Sequence, residues 1–93
     1  MTIRLLGEDG RNELEGTLVF DKDTKKAVVY PQLTPIYQAV KGIELEVMEG
    51  FDDIFSFDGY VLSCVDDSFS EVTIIVKYNG EIYGTYTFEV TFE

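Results

Sequence analysis

Seven carboxylates, Glu49, Asp52, Asp53, Asp58, Asp66, Asp67 and Glu71, lie in a stretch of the chain that contains no lysine, arginine or histidine. Acids gathered in this way can hold a hard cation, share a proton as an acid–base pair, or meet a basic surface with opposite charge. Calcium asks for clustered oxygens at a set spacing. Asp66-Asp67-Ser68 and Asp21-Lys22-Asp23-Thr24 each supply two close carboxylates, but neither follows the D-x-[DN]-x-[DN]-G loop pattern. Both read as turns whose acids bond their own backbone. No metal and no cofactor is expected.

Catalysis finds little to work with. Nucleophilic triads and most metal centres use His or Cys, and the chain has no His and one cysteine, Cys64. Neither GxGxxG nor GxxxxGK[ST] occurs, so no phosphate-cradling loop is expected. A small β domain without tryptophan makes a poor sugar cleft, which sets aside the two-carboxylate route to glycoside hydrolysis. The chain reads as a binding protein and not an enzyme. Cys64 sits in the apolar run Val61-Leu62-Ser63-Cys64-Val65 and reads as a small buried hydrophobe. A lone cysteine forms no internal disulfide, no apolar run approaches the roughly 20 residues of a membrane span, and no signal-peptide pattern opens the chain. These features suggest a cytoplasmic protein, in the host cell if phage-encoded.

The net charge of −11 is unevenly shared. Residues 1–42 hold six acids and six bases; residues 43–93 hold twelve acids and one base, Lys77. Such a surface repels nucleic acid and anionic membrane and attracts cationic surfaces. Solvent-face acids that merely confer solubility account for Glu44, Glu46, Glu81 and Glu89, which alternate with apolar positions. They account less well for a base-free stretch from Gly42 to Val76. Crowding of this kind is also expected to raise carboxylate pKa values by mutual repulsion.

The elements that would position these acids are short strands. The 93 residues allow one domain with one core, spanning 1–93. Leu14, Gly16, Leu18 and Phe20 alternate with Glu15, Thr17 and Val19, and Ile43, Leu45 and Val47 alternate with Glu44 and Glu46. Ala27 to Tyr30 is β-rich, ends at Pro31, and pairs as a hairpin with the run before it. Thr34-Pro35 starts a short helix over 35–41, stopped by Gly42. In Glu49 to Gly59, burial of Phe51, Ile54, Phe55 and Phe57 is preferred over a recognition loop. The final hairpin is expected to have a three-residue loop, Tyr78-Asn79-Gly80, pairing Val76 with Ile82 and Val72 with Tyr86, because that register brings the apolar faces together. Gly80 is then left-handed. The fold expected is mainly β: a small antiparallel sandwich or partly open barrel of about seven strands with one short helix, the alternative being α+β.

The leading expectation is a non-catalytic acidic protein that docks on a basic surface of another protein through Glu49, Asp52, Asp53, Asp58, Asp66, Asp67 and Glu71. Its sharpest form is a nucleic-acid mimic, an inhibitor or decoy occupying a nucleic-acid-binding site. Small acidic phage proteins, anti-CRISPR proteins among them, act in this way; the likeness is one of composition. Phe51, Phe55 or Tyr60 would supply apolar anchors. The alternative is a structural β module of a virion or cell surface that assembles by strand pairing, as a homo-oligomer or with a neighbour.

Overall fold

Alternating apolar residues build the strands, and the alternation is visible in their burial. Leu18 and Phe20 are fully covered while Val19 between them is 48% exposed; Ile43 and Leu45 are buried while Glu44 is exposed. The computed structural model describes residues 2–34 and 42–93. Among these residues there are nine strands and no helix: β1 (Thr2–Leu6), β2 (Thr17–Phe20), β3 (Lys26–Val28), β4 (Tyr30–Thr34), β5 (Ile43–Val47), β6 (Phe55–Asp58), β7 (Val61–Cys64), β8 (Glu71–Tyr78) and β9 (Glu81–Phe92). The helix expected over 35–41 lies outside the described residues.

The strands form three sheets, ordered β2-β9-β8-β5, β3-β7-β6 and β1-β4. β2 lies beside β3 and β5 beside β6, but neither pair forms a ladder, so no barrel closes. The mainly β class is as expected. Nine strands replace about seven, and one pairing, β2 with β9, is parallel.

That parallel ladder overturns the expected β2–β3 hairpin. The Asp21–Lys25 turn starts one, with the Asp21 N–H on the Lys26 carbonyl at 3.0 Å and Lys25 at φ 57. The strands then part: β2 runs along the end of β9, and β3 pairs with β7. Pro31 also fails to end its strand. It sits opposite Leu5 of β1 and is fully buried. The Leu5 carbonyl faces away from β4, accepting from Leu14 N–H at 2.8 Å, so no donor is missed at the proline.

The β8–β9 hairpin keeps its apolar faces together by a different device from the one expected. Asn79 (φ 52) and Gly80 (φ 85) form a two-residue turn with both residues left-handed, so Tyr78 pairs with Glu81 and Lys77 with Ile82. A bulge follows. Val76 pairs with Gly84, leaving Tyr83 as the extra residue. Beyond it Ile74 faces Tyr86 and Val72 faces Phe88. Gly80 is left-handed as expected, but the ladder past the bulge is shifted by two residues. Ile82, expected on the core face, is 64% exposed.

Phe20, Phe55, Leu62, Val72, Ile74 and Val76, each no more than 1% exposed, form the centre of the core between the two larger sheets. A chain of rings runs through it: Phe92 to Phe20 at 5.6 Å, Phe20 to Phe55 at 5.8 Å, Phe55 to Phe69 at 6.1 Å and Phe69 to Phe51 at 5.8 Å. At these separations the rings pack tilted or edge-on, the geometry their quadrupoles favour.

Candidate functional site: the acidic end

Two turns at one end of the molecule are tied back to back. The first, between β5 and β6, is closed by Phe51 N–H on the Met48 carbonyl (3.0 Å) and Phe55 N–H on the Phe51 carbonyl (2.9 Å). The second is the β7–β8 connection. Val65 N–H donates to the Ile54 carbonyl at 2.9 Å, and Phe69 of the second turn packs edge-on against Phe51 and Phe55 of the first. The apolar residues of the 49–59 segment are thus spent on packing. Phe55 is 1% exposed, and Phe51, Ile54 and Phe57 are half-buried against the core. With the phenylalanines held inside, the acids between them point to solvent.

The first turn carries Glu49, Asp52 and Asp53; the second carries Asp66 and Asp67 and leads to Glu71 at the start of β8; all six are exposed. Asp58 is not with them. It stands at the far end of β6, beside the hairpin turn at Gly59, on the order of 10 Å along the strand from Phe55. The hairpin shift adds an acid that the sequence reading assigned only to a solvent face: Glu89 is the direct cross-strand partner of Glu71. Without the bulge Phe88 would stand there, and the expected three-residue-loop register would have put Thr87 there. Thus six of the seven expected acids, joined by Glu89, share one end.

Of the expected apolar anchors, Phe55 is core, Phe51 is half-buried at the acidic end, and Tyr60 is half-buried edge-on against Tyr30 at 5.4 Å at the β6–β7 hairpin. The exposed apolar side chain at the acidic end is Val65, at 72%. Its signal in the sequence is its place, the last residue of an apolar run before two aspartates.

Three cations modify the picture. Lys77 pairs with Glu46 at 3.0 Å, the one ion pair among the described residues. Lys25, from the electrically balanced half, is carried toward the acidic end by β3–β7 pairing, where its carbonyl accepts from Cys64 N–H at 3.0 Å. Its ammonium lies 5.7 Å from the Phe92 ring centre. The base-free stretch of sequence therefore has bases near it in space: Lys77 on Glu46, Lys25 beside Asp66 and Lys26 opposite Ser63.

Asp66 accepts from the Ser68 hydroxyl and, at 2.9 Å, from the Ser68 amide, bonds that hold its carboxyl below the ordinary value, with a smaller contribution from Lys25. Asp21 is lowered in the same way by the amides of Thr24 and Asp23, and Asp9 by those of Arg11 and Asn12. These are the self-bonding turns expected at Asp21 and Asp66. The direction is opposite to the rise expected from crowding, because donated hydrogen bonds favour the ionised form. Among the described residues no group of three or more His, Cys, Asp or Glu is placed to hold a metal ion, and no helix is long and apolar enough to cross a membrane. No protein family, characterised protein or solved structure matches the chain.

Proposed function

We propose that the protein is a non-catalytic binding protein that docks its acidic end on a basic surface of another protein. The observation that carries this reading is the joining of two separate acid-bearing turns into one end: Glu49, Asp52 and Asp53 on one, Asp66, Asp67 and Glu71 on the other, with Glu89 opposite Glu71. A protein that needed acids only for solubility has no reason to hold so many on turns locked together by a buried aromatic cluster. Like charges in that arrangement cost stability, and a cationic partner removes the cost. Val65 supplies an apolar contact within the charged rim.

The partner class that fits is a protein with a nucleic-acid-binding site, the carboxylates standing in for phosphates; a phage-type inhibitor or decoy acting in the host cytoplasm is the concrete form. The test is retention of host proteins on the immobilised chain, followed by competition. Retained proteins that wash off as salt rises, and that duplex DNA or RNA displaces, support the reading. Retention that tolerates salt and ignores nucleic acid defeats it.

A further inference from the structure

We propose that the open seam between β2 and β3 takes up an extended, lysine- or arginine-bearing segment of a partner protein as an added strand. The backbone pattern carries this. On β2, Gly16 and Phe20 accept from Glu89 and Glu93 of the β9 end, and Lys22 donates back to Glu93, so the even-numbered backbones serve β9. Alternation turns the N–H and C=O groups of Thr17 and Val19 the other way, toward the seam. On β3, Lys25 accepts from Cys64 and Val29 donates to Tyr60, so Lys26 and Val28 face the seam. Asp21 takes the Lys26 carbonyl. No ladder joins β2 to β3, so the amide and carbonyl of Val28, and those of Thr17 and Val19, are left facing the seam.

Between these two edges lies a groove of about 610 Å³. It is of a size to accept a ligand, and its walls are strand edges, the template for β-augmentation. The choice of occupant follows from charge. Glu8, Asp21 and Glu93 line the groove against one base, Lys26, and Val19 offers an exposed apolar contact. A cationic strand is complementary, whereas a second copy of this chain brings another −11 and is repelled. The inference does not rest on the acidic-end reading, since the two surfaces use different residues.

Amide hydrogen exchange on the full chain tests it. The probe is a synthetic peptide of about ten residues alternating lysine and valine, beside the same peptide N-methylated at alternate residues, which blocks its backbone bonding. The expected result is slowing of exchange by at least about tenfold at Thr17, Val19 and Val28 with the first peptide and none with the second. Val19→Pro removes a seam-facing N–H without touching the β9 ladder, and is expected to abolish that protection with little change in melting. Protection confined to residues 49–71, equal effects of both peptides, self-association in place of peptide binding, or no protection at millimolar peptide would each overturn the proposal.

Discussion

Glu71 and Glu89 stand directly opposite each other across the β8–β9 ladder. Like charges at cross-strand spacing repel, and both side chains are exposed at the acidic end. Replacing Glu89 with Gln is expected to raise stability by about 0.5 kcal/mol at low ionic strength, with the gain shrinking as salt is added. Urea unfolding at two salt concentrations measures this. The same change should weaken partner binding. Lower stability of Glu89→Gln would mean that the carboxylate has a favourable role in the fold.

The bulge at Tyr83 makes that juxtaposition possible, and it has its own signature. Tyr83 reaches across to β1, where its hydroxyl accepts the Ile3 N–H at 3.2 Å. Tyr83→Phe is expected to cost about 1 kcal/mol and to speed exchange at the Ile3 amide. Gly80→Val, at φ 85, should cost more than about 1 kcal/mol because a β-branched residue is strained there. A neutral result for both would show that the hairpin does not depend on this turn and bulge.

Acid titration separates hydrogen bonding from crowding. Asp66 is lowered first by the Ser68 hydroxyl and then by its amide, and Asp9 and Asp21 chiefly by backbone amides, with the Asn12 and Thr24 side chains adding. A lowered carboxylate binds fewer protons folded than unfolded, so its stabilising contribution is fully present above the unfolded pKa of about 3.9 and is lost as pH falls through the folded value. Melting temperature measured against pH should therefore fall below about pH 4, with a smaller fall in Asp21→Asn and Asp66→Asn. A wild-type curve that climbs steadily as pH drops through this window would show that repulsion outweighs these bonds.

What could be read from the residues alone was what lies close in the chain. Alternation around Leu18 and Leu45 identified two strands and their buried faces, and the phenylalanine-rich segment was rightly expected to pack. The self-bonding turns at Asp21 and Asp66 follow from local side-chain chemistry. Pairing was less legible. The parallel match of Thr17 with Glu89 joins residues far apart in sequence, and a period-two pattern says which face is inward, not which strand is adjacent. The final hairpin shows the same limit. Matching apolar faces fixes the register only to an even shift, so a two-residue turn plus a bulge satisfies the pattern as well as a three-residue loop. Glu89 was missed for that reason, and Asp58 was included because sequence proximity to Asp53 does not reveal a strand running away from it.

Cys64 provides a check on the core that is independent of charge. It is 8% exposed, and burial pushes its thiol up from the ordinary value, with Lys25 opposing and Asp66 and Asp67 adding to the rise. Burial and the two aspartates both suppress the reactive thiolate. Labelling of the native protein by a thiol reagent should be at least about tenfold slower than that of the urea-unfolded chain at neutral pH. Equal rates would place Cys64 outside the core.

The central claim, that the acidic end is the docking surface, is tested most directly by comparing two variants of equal charge. One carries Asp52→Asn, Asp53→Asn and Asp67→Asn; the other carries Glu44→Gln, Asp58→Asn and Glu81→Gln, exposed acids away from that end. Affinity for a partner captured by the wild-type chain is measured as a function of salt. The account predicts that the first variant loses at least about tenfold in affinity and much of the salt dependence, while the second keeps both within about twofold. Equal losses in the two variants would show that net charge alone attracts the partner, and unchanged binding by the first would show that the acidic end is not the docking surface.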